Sequence, residues 1–127
     1  MEEKILAVDD EVQIRDIYSQ AFSTAGYEVT TAQRAEEALE IVRKTSFLVP
    51  FLDLNLPGMN GVELCRQIRN QYPMAVPIAV TGYASLFELT DCRDAGFEDY
   101  FTKPANFSEL IETAEHAFRK LERWRTR

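Results

Sequence analysis

Five polar residues carry most of the chemistry this sequence offers, because each directly follows a run that reads as a short strand. Asp9 and Asp10 follow 5–8, Asp53 follows 47–52, Thr81 follows 76–80 and Lys103 follows 98–102. Adjacent strands in one sheet would bring all five to one edge. Three carboxylates within about 4 to 6 Å repel one another by several kcal/mol per pair at an effective dielectric near 20, so they take up protons or hold a cation. Oxygen-only donors with no His or Cys beside them favour magnesium or manganese over zinc, and a site with few protein ligands suits magnesium with a phosphate. Phosphoryl transfer needs an oxygen nucleophile, a cation, a fixed positive side chain and a hydroxyl donor. Asp53, the metal, Lys103 and Thr81 fit those roles. Asp9-Asp10 taken alone reads as a solvated pair of turn residues; the coincidence at four strand ends gives the pair its meaning.

The elements that would position these residues follow from hydrophobic spacing. Ile5 to Val8 is a short buried strand; Ile14, Ile17, Tyr18, Ala21 and Phe22 then form a helical stripe closed by Gly26. Tyr27 to Thr31 is a second strand. Ala35, Ala38, Leu39 and Val42 repeat the helical spacing, and Phe47 to Leu52 is a third strand. A third helix carries Leu64, Cys65, Ile68 and Tyr72, Val76 to Val80 is a fourth strand, and a weaker helix from about Ser85 to Ala95 stops at Gly96. Glu98 to Thr102 is a fifth strand, and Leu110, Ile111, Ala114, Ala117, Phe118 and Leu121 mark a last helix capped by Asn106 or Ser108. Strictly alternating strands and helices imply an α/β fold, a doubly wound parallel sheet with helices on both faces and ligands bound outside the carboxyl ends of the strands.

Bulk properties agree. The 127 residues predict one domain over 1–127, with 46% hydrophobic and 28% charged residues, as in an ordinary globular chain. Fourteen Lys and Arg against 21 Asp and Glu leave a net charge of −7, which disfavours nonspecific binding to nucleic acid or anionic membrane. Two cysteines, Cys65 and Cys92, are too few for a disulfide framework and match no zinc spacing, which points to small packing residues in a reducing, cytoplasmic setting. The longest apolar run falls far short of the roughly 20 residues that span a bilayer, and the start carries acids where a signal peptide has basic residues. His116, the one histidine, is expected on the solvent side of the last helix, and Phe47, Phe51, Phe87, Phe97 and Phe101 in the core or an interface. The basic tail from about 119, where Arg119, Lys120, Arg123, Arg125 and Arg127 face Glu122 alone, reads as a solvated helix end or the start of a linker, with Trp124 available to pack on a partner.

Ala7-Val8-Asp9-Asp10-Glu11, the stretch from Leu52 to Gly61, Val80-Thr81-Gly82 and Tyr100-Phe101-Thr102-Lys103-Pro104 together resemble the receiver domain of bacterial two-component response regulators over essentially the whole chain. The resemblance implies a flavodoxin-like, five-stranded sheet in the order 2-1-3-4-5. It implies that Asp53 accepts a phosphoryl group from the phosphohistidine of a sensor histidine kinase or phosphotransfer protein. Asp10 would bind Mg2+ (or Mn2+) directly, Asp9 chiefly through water, with Asp53 and the backbone carbonyl of Asn55 completing the protein ligands. Thr81 would hydrogen-bond the phosphoryl oxygen, Lys103 would pair with the carboxylate and then the phosphoryl group, and Tyr100 would be the aromatic switch. The Lys103-Pro104 bond is expected to be cis. The consequence of phosphorylation, about −1.5 to −2 added charges, would be read on the face made by the fourth helix, fifth strand and last helix, by an output domain, a protein or a second copy. Such a domain is regulatory and not an enzyme, apart from self-phosphotransfer and autodephosphorylation.

Other readings remain open at this stage. A small aspartyl-phosphate phosphatase shares the nucleophile, lysine and magnesium, but needs a general acid two residues on, where Asn55 stands. A flavodoxin-like binding module lacks a phosphate loop, and Asp9-Asp10-Glu11 would repel a flavin phosphate. A phosphate-independent pseudo-receiver is raised by Pro50, which removes a ladder donor inside a central strand and suggests a bulge or a strand that starts late. Asn60 and Ala105 also depart from the family's commoner residues, as tolerated variation.

Overall fold

A computed structural model describes residues 3–82 and 85–126, and the side chains of all of these except Leu86 and Phe87. The order is β1 (Lys4–Val8), α1 (Val12–Thr24), β2 (Glu28–Ala32), α2 (Ala35–Lys44), β3 (Val49–Leu52), α3 (Gly61–Gln71), β4 (Ile78–Thr81), α4 (Leu86–Ala95), β5 (Asp99–Thr102) and α5 (Phe107–Arg125). The strands form one parallel sheet, β2-β1-β3-β4-β5. This is the doubly wound, flavodoxin-like α/β fold and strand order that the family resemblance implied.

Strand alternation sorts the core into two layers. Ile5, Ala7, Val49, Phe51, Ile78 and Val80 point to one face and pack with α1 and α5; Leu6, Val8, Leu52 and Ala79 point to the other and pack with α2, α3 and α4. Because both faces are covered, β3 and β4 are buried throughout, and Thr81 at the exit of β4 is their one residue with a polar side chain. On the α1/α5 face the filling is aromatic, with Tyr18, Phe22, Phe51, Tyr27 and Phe118 in a chain of ring contacts and Phe107 edge-on to Tyr18 at 4.9 Å.

Helix ends follow local chemistry. Asn60, a departure from the commoner family residue, caps α3 by accepting from Glu63 N, and Ser85 and Glu88 close a reciprocal capping box on α4. Asn106, not Ser108, caps α5; its side chain accepts from both Ser108 N and Glu109 N. Gly96 ends α4 with φ of 105°, in the left-handed region that favours glycine.

Three sequence expectations need correction. Pro50 makes no bulge, and of the two expectations the late start is the nearer: β3 begins at Val49, two residues after the expected Phe47 though still before Pro50, and the β1 register runs unbroken from Ile5↔Val49 to Val8↔Leu52. Asp53 N donates to Val8 O and Leu48 O accepts from Val76 N, so by alternation the nitrogen of Pro50 faces β4, whose pairing begins one residue later at Phe51↔Ile78. The missing donor lies where no ladder bond is required. Ile17 does not join the buried stripe of α1; Tyr18 and Phe22 fill that face and Ile17 stays 43% exposed. Several strand boundaries also shift by one or two residues, β3 starting at Val49 instead of Phe47.

The remaining side chains fall as expected: Phe47, Phe51 and Phe97 are buried, Phe101 is half-buried, His116 is exposed, and the side chain of Phe87 lies outside those described. Trp124, 60% exposed, borders an apolar groove with Leu48, Met74 and Leu121 at the end of the molecule away from the strand exits. Among the described residues no helix is long and apolar enough to cross a membrane. Cys65 and Cys92 are buried among α3 and α4; burial pushes the Cys65 thiol up to about 12 and raises Cys92 as well. Both are therefore expected to resist iodoacetamide in the native protein at pH 8 and to react together once it is denatured, which mass spectrometry reads directly.

Candidate functional site

The sheet register brings the strand exits level. With Val8 opposite Leu52 and Thr81 opposite Thr102, Asp9, Asp53, Thr81 and Lys103 emerge along one edge. Oxygens of Asp9, Asp10 and Asp53 lie within 4.8 Å of one another. Asp9 and Asp53 are buried, at 1% and 5% exposure, whereas Asp10 is exposed and Thr81 is fully buried. One ammonium holds the two buried acids together: Lys103 Nζ lies 2.8 Å from Asp9 Oδ2 and 3.0 Å from Asp53 Oδ2.

Two opposing effects set the protonation behaviour of this cluster. Burial pushes the Asp9 carboxyl above its ordinary value, and hydrogen bonds from Lys103 and Glu11 N oppose the rise. Burial alone would lower Lys103, but the carboxylates of Asp9 and Asp53 outweigh it and the ammonium is held above the usual lysine range. Burial, followed by the charges of Asp9 and Asp53, likewise raises Tyr18 on α1 beneath the site, so its phenol stays protonated.

Backbone contacts fix the rest. Asp53 Oδ1 accepts from Asn55 N at 3.1 Å, and the Asn55 side chain donates through Nδ2 to Thr81 Oγ1 at 3.0 Å. Lys103 N donates to Thr81 O at 2.8 Å, and the Lys103–Pro104 bond is cis, as expected. Tyr100 is half-buried on β5, opposite Ala79, and packs on the α2/α3/α4 face; its phenol is raised by burial. It stands apart from the hydrogen bonds that join Asp9, Asp53, Thr81 and Lys103 among the described residues.

Three contributors escape a reading of strand ends. Arg15 on α1 donates to Asp9 O at 2.8 Å and steadies the Asp9-Asp10 turn. Glu36 on α2 accepts from Met59 N at 3.3 Å and ties down the loop after Asp53. At Gly61 a Cβ would sit 2.0 Å from Asp53 O, a contact no side chain tolerates. The glycine in the Met59-Asn60-Gly61 stretch is visible in the sequence, but its reason is visible only in three dimensions.

Three carboxylates of such donor character fit a hard divalent cation with its own waters, as magnesium prefers. A doubly wound sheet with this acidic pocket at its carboxyl edge, a lysine across it and a hydroxyl on the next strand is the arrangement that the family resemblance implied. The chain belongs to the response regulator receiver domain family, whose model matches residues 5–115. It is similar to a CheY-like receiver domain protein of Methanospirillum hungatei, with 34% identity, a TM-score of 0.93 and coverage of 97% of this chain and 98% of that one. The chemotaxis protein CheY4 of Vibrio cholerae matches at 33% identity and a TM-score of 0.86, over 92% of this chain and 99% of that one. NtrX of Brucella abortus, solved with ADP, matches at 32% identity and 0.87, over 99% of this chain but 30% of its own, longer one. Receiver domains of two-component response regulators are regulatory, and phosphorylation switching is the family's general role.

Two variants test the construction of this site. Lys103→Met leaves Asp9 and Asp53 without their buried counter-charge and should cost about 3 kcal/mol near neutral pH. Burial already raises the Asp9 carboxyl, and without the opposing ammonium Asp9 binds a proton more readily folded than unfolded, so the loss should shrink as pH falls from 7 towards 4 in urea unfolding. Gly61→Ala should cost a further kind of strain, about 3 kcal/mol at any pH in that range, because the clash is with the Asp53 backbone.

Proposed function

We propose that Asp53 is the phosphoacceptor of a phosphorylation-switched receiver that takes its phosphoryl group from the phosphohistidine of a sensor histidine kinase or phosphotransfer protein. The observation that supports this reading is the gathering of Asp9, Asp10, Asp53, Thr81 and Lys103 at one sheet edge, with Asp53 nearly buried yet doubly hydrogen-bonded.

In this reading an Asp53 carboxylate oxygen attacks phosphorus, the phosphorus–nitrogen bond of the phosphohistidine breaks, and the imidazole leaves. Asp9, Asp10, Asp53 and the Asn55 backbone carbonyl would hold Mg2+ (Mn2+ in its place), which when bound neutralises charge on the phosphoryl oxygens. Lys103, already paired with Asp53, transfers one of its hydrogen bonds to the new phosphoryl group, and Thr81 donates its hydroxyl to a phosphoryl oxygen. Water later attacks the phosphorus, the bond to the Asp53 oxygen breaks, and inorganic phosphate leaves the free carboxylate behind. Tyr100 follows Thr81, and the change is carried to the α4-β5-α5 face, where an output domain, a partner protein or a second copy reads it.

Residues 1–127 are read as a single receiver domain, with the basic tail from about 119 as a solvated helix end or the start of a linker, and the cytoplasm as its compartment. Two buried, free thiols are consistent with that compartment.

Intact mass after incubation with acetyl phosphate tests the assignment. One phosphoryl adduct is expected in wild type with magnesium, none without it, and none in Asp53→Asn. An adduct of equal yield in Asp53→Asn would refute the phosphoacceptor.

A further inference from the structure

The hydrogen bonds around Asp53 close into a ring. Asp53 Oδ1 accepts from Asn55 N, Asn55 Nδ2 donates to Thr81 Oγ1, Thr81 O accepts from Lys103 N, and Lys103 Nζ returns to Asp53 Oδ2. Both carboxylate oxygens of Asp53 are therefore ends of one circuit, and the Thr81 hydroxyl oxygen is held by Asn55 and not by Asp53. Thr81 is fully buried while Asn55 is exposed, so the donor that fixes the inner residue sits at the pocket's mouth.

We propose that the Asn55 side chain is a positioning residue that clasps Thr81 in its resting place, so that reorienting the Thr81 hydroxyl towards a group on Asp53 must first give up the Asn55–Thr81 bond. This rests on the reading of Asp53 as phosphoacceptor and adds a second role for Asn55, through its carboxamide, to that of its backbone carbonyl. A bond present in the resting arrangement and lost in the switched one stabilises the former, and one net hydrogen bond between neutral groups corresponds to about a two- to tenfold bias in that equilibrium. Because Asn55 N also holds Asp53 Oδ1, a new group on that oxygen disturbs both ends of Asn55 together. The clasp thus loosens most readily when Asp53 is occupied.

Asn55→Ala removes the clasp and leaves the backbone carbonyl in place. In the free protein, relaxation-dispersion NMR at Thr81 and Gly82 should show an exchange contribution in Asn55→Ala that wild type lacks or shows more weakly. Beryllofluoride, a tetrahedral stand-in for a phosphoryl group on a carboxylate, should bind about two- to tenfold more tightly to Asn55→Ala in the presence of magnesium, read by fluorine NMR. The gain should vanish in a Thr81→Val background, which keeps the shape and removes the hydroxyl.

Weaker beryllofluoride binding in Asn55→Ala, or an equal gain in the Thr81→Val background, would overturn the clasp. Wild-type protein that binds magnesium but not beryllofluoride would sink the phosphoacceptor reading instead, and the free-protein exchange at Thr81 would then still decide whether Asn55 restrains it.

Discussion

Everything at the carboxyl edge depends on one electrostatic constraint: two nearly buried carboxylates, Asp9 and Asp53, share a single ammonium. Neither acid would stay charged there alone at modest cost, because a buried ion without a partner is penalised by several kcal/mol. Lys103 serves both because the sheet places it correctly. β5 lies two strands from β3, about 10 Å across the ladder, with β4 between. The bond from Lys103 N to Thr81 O carries the register up to Lys103 itself, so the stem crosses above Thr81 to meet the acids on the far side. The lysine is thus both counter-charge and bridge.

The two-layer core is what keeps that edge in register. Odd and even positions of β1 pack on different helices, so a one-residue slip would exchange Leu6 and Val8 with Ile5 and Ala7 and move Asp9 away from Asp53. The aromatic packing of Tyr18, Phe22 and Phe51 holds one side of β1 and β3 close beneath the acids, and Gly61 allows α3 to approach the Asp53 backbone on the other. Stability of the fold and geometry of the pocket therefore share residues, which is why strain at Gly61 reaches the acidic cluster.

Much of this was legible in the sequence because a buried parallel sheet writes itself as short apolar runs, and a polar residue at the end of such a run has few other places to go. The layered fold and the edge location of Asp9, Asp53, Thr81 and Lys103 follow from that pattern alone; the strand order came from family resemblance. What the pattern does not carry is direction and depth. Asp9 and Asp10 are indistinguishable as a doublet, yet one is buried and the other exposed. Ile17 fits the helical period but not the space left by Tyr18 and Phe22. Pro50 looks disruptive until the alternation of ladder bonds shows which neighbour its nitrogen faces. The Asn55 carboxamide meets Thr81 across 26 positions of sequence, a contact that no local spacing announces.

The position of Trp124 has a practical corollary. It is the chain's one tryptophan and stands 60% exposed beside Leu48 and Met74, at the opposite end of the sheet from Asp53. Intrinsic emission therefore comes from a fluorophore that is largely open to solvent and set apart from the acidic pocket. Its spectrum reports on the end of α5, and an optical signal for events at Asp53 has to be engineered nearer to the strand exits.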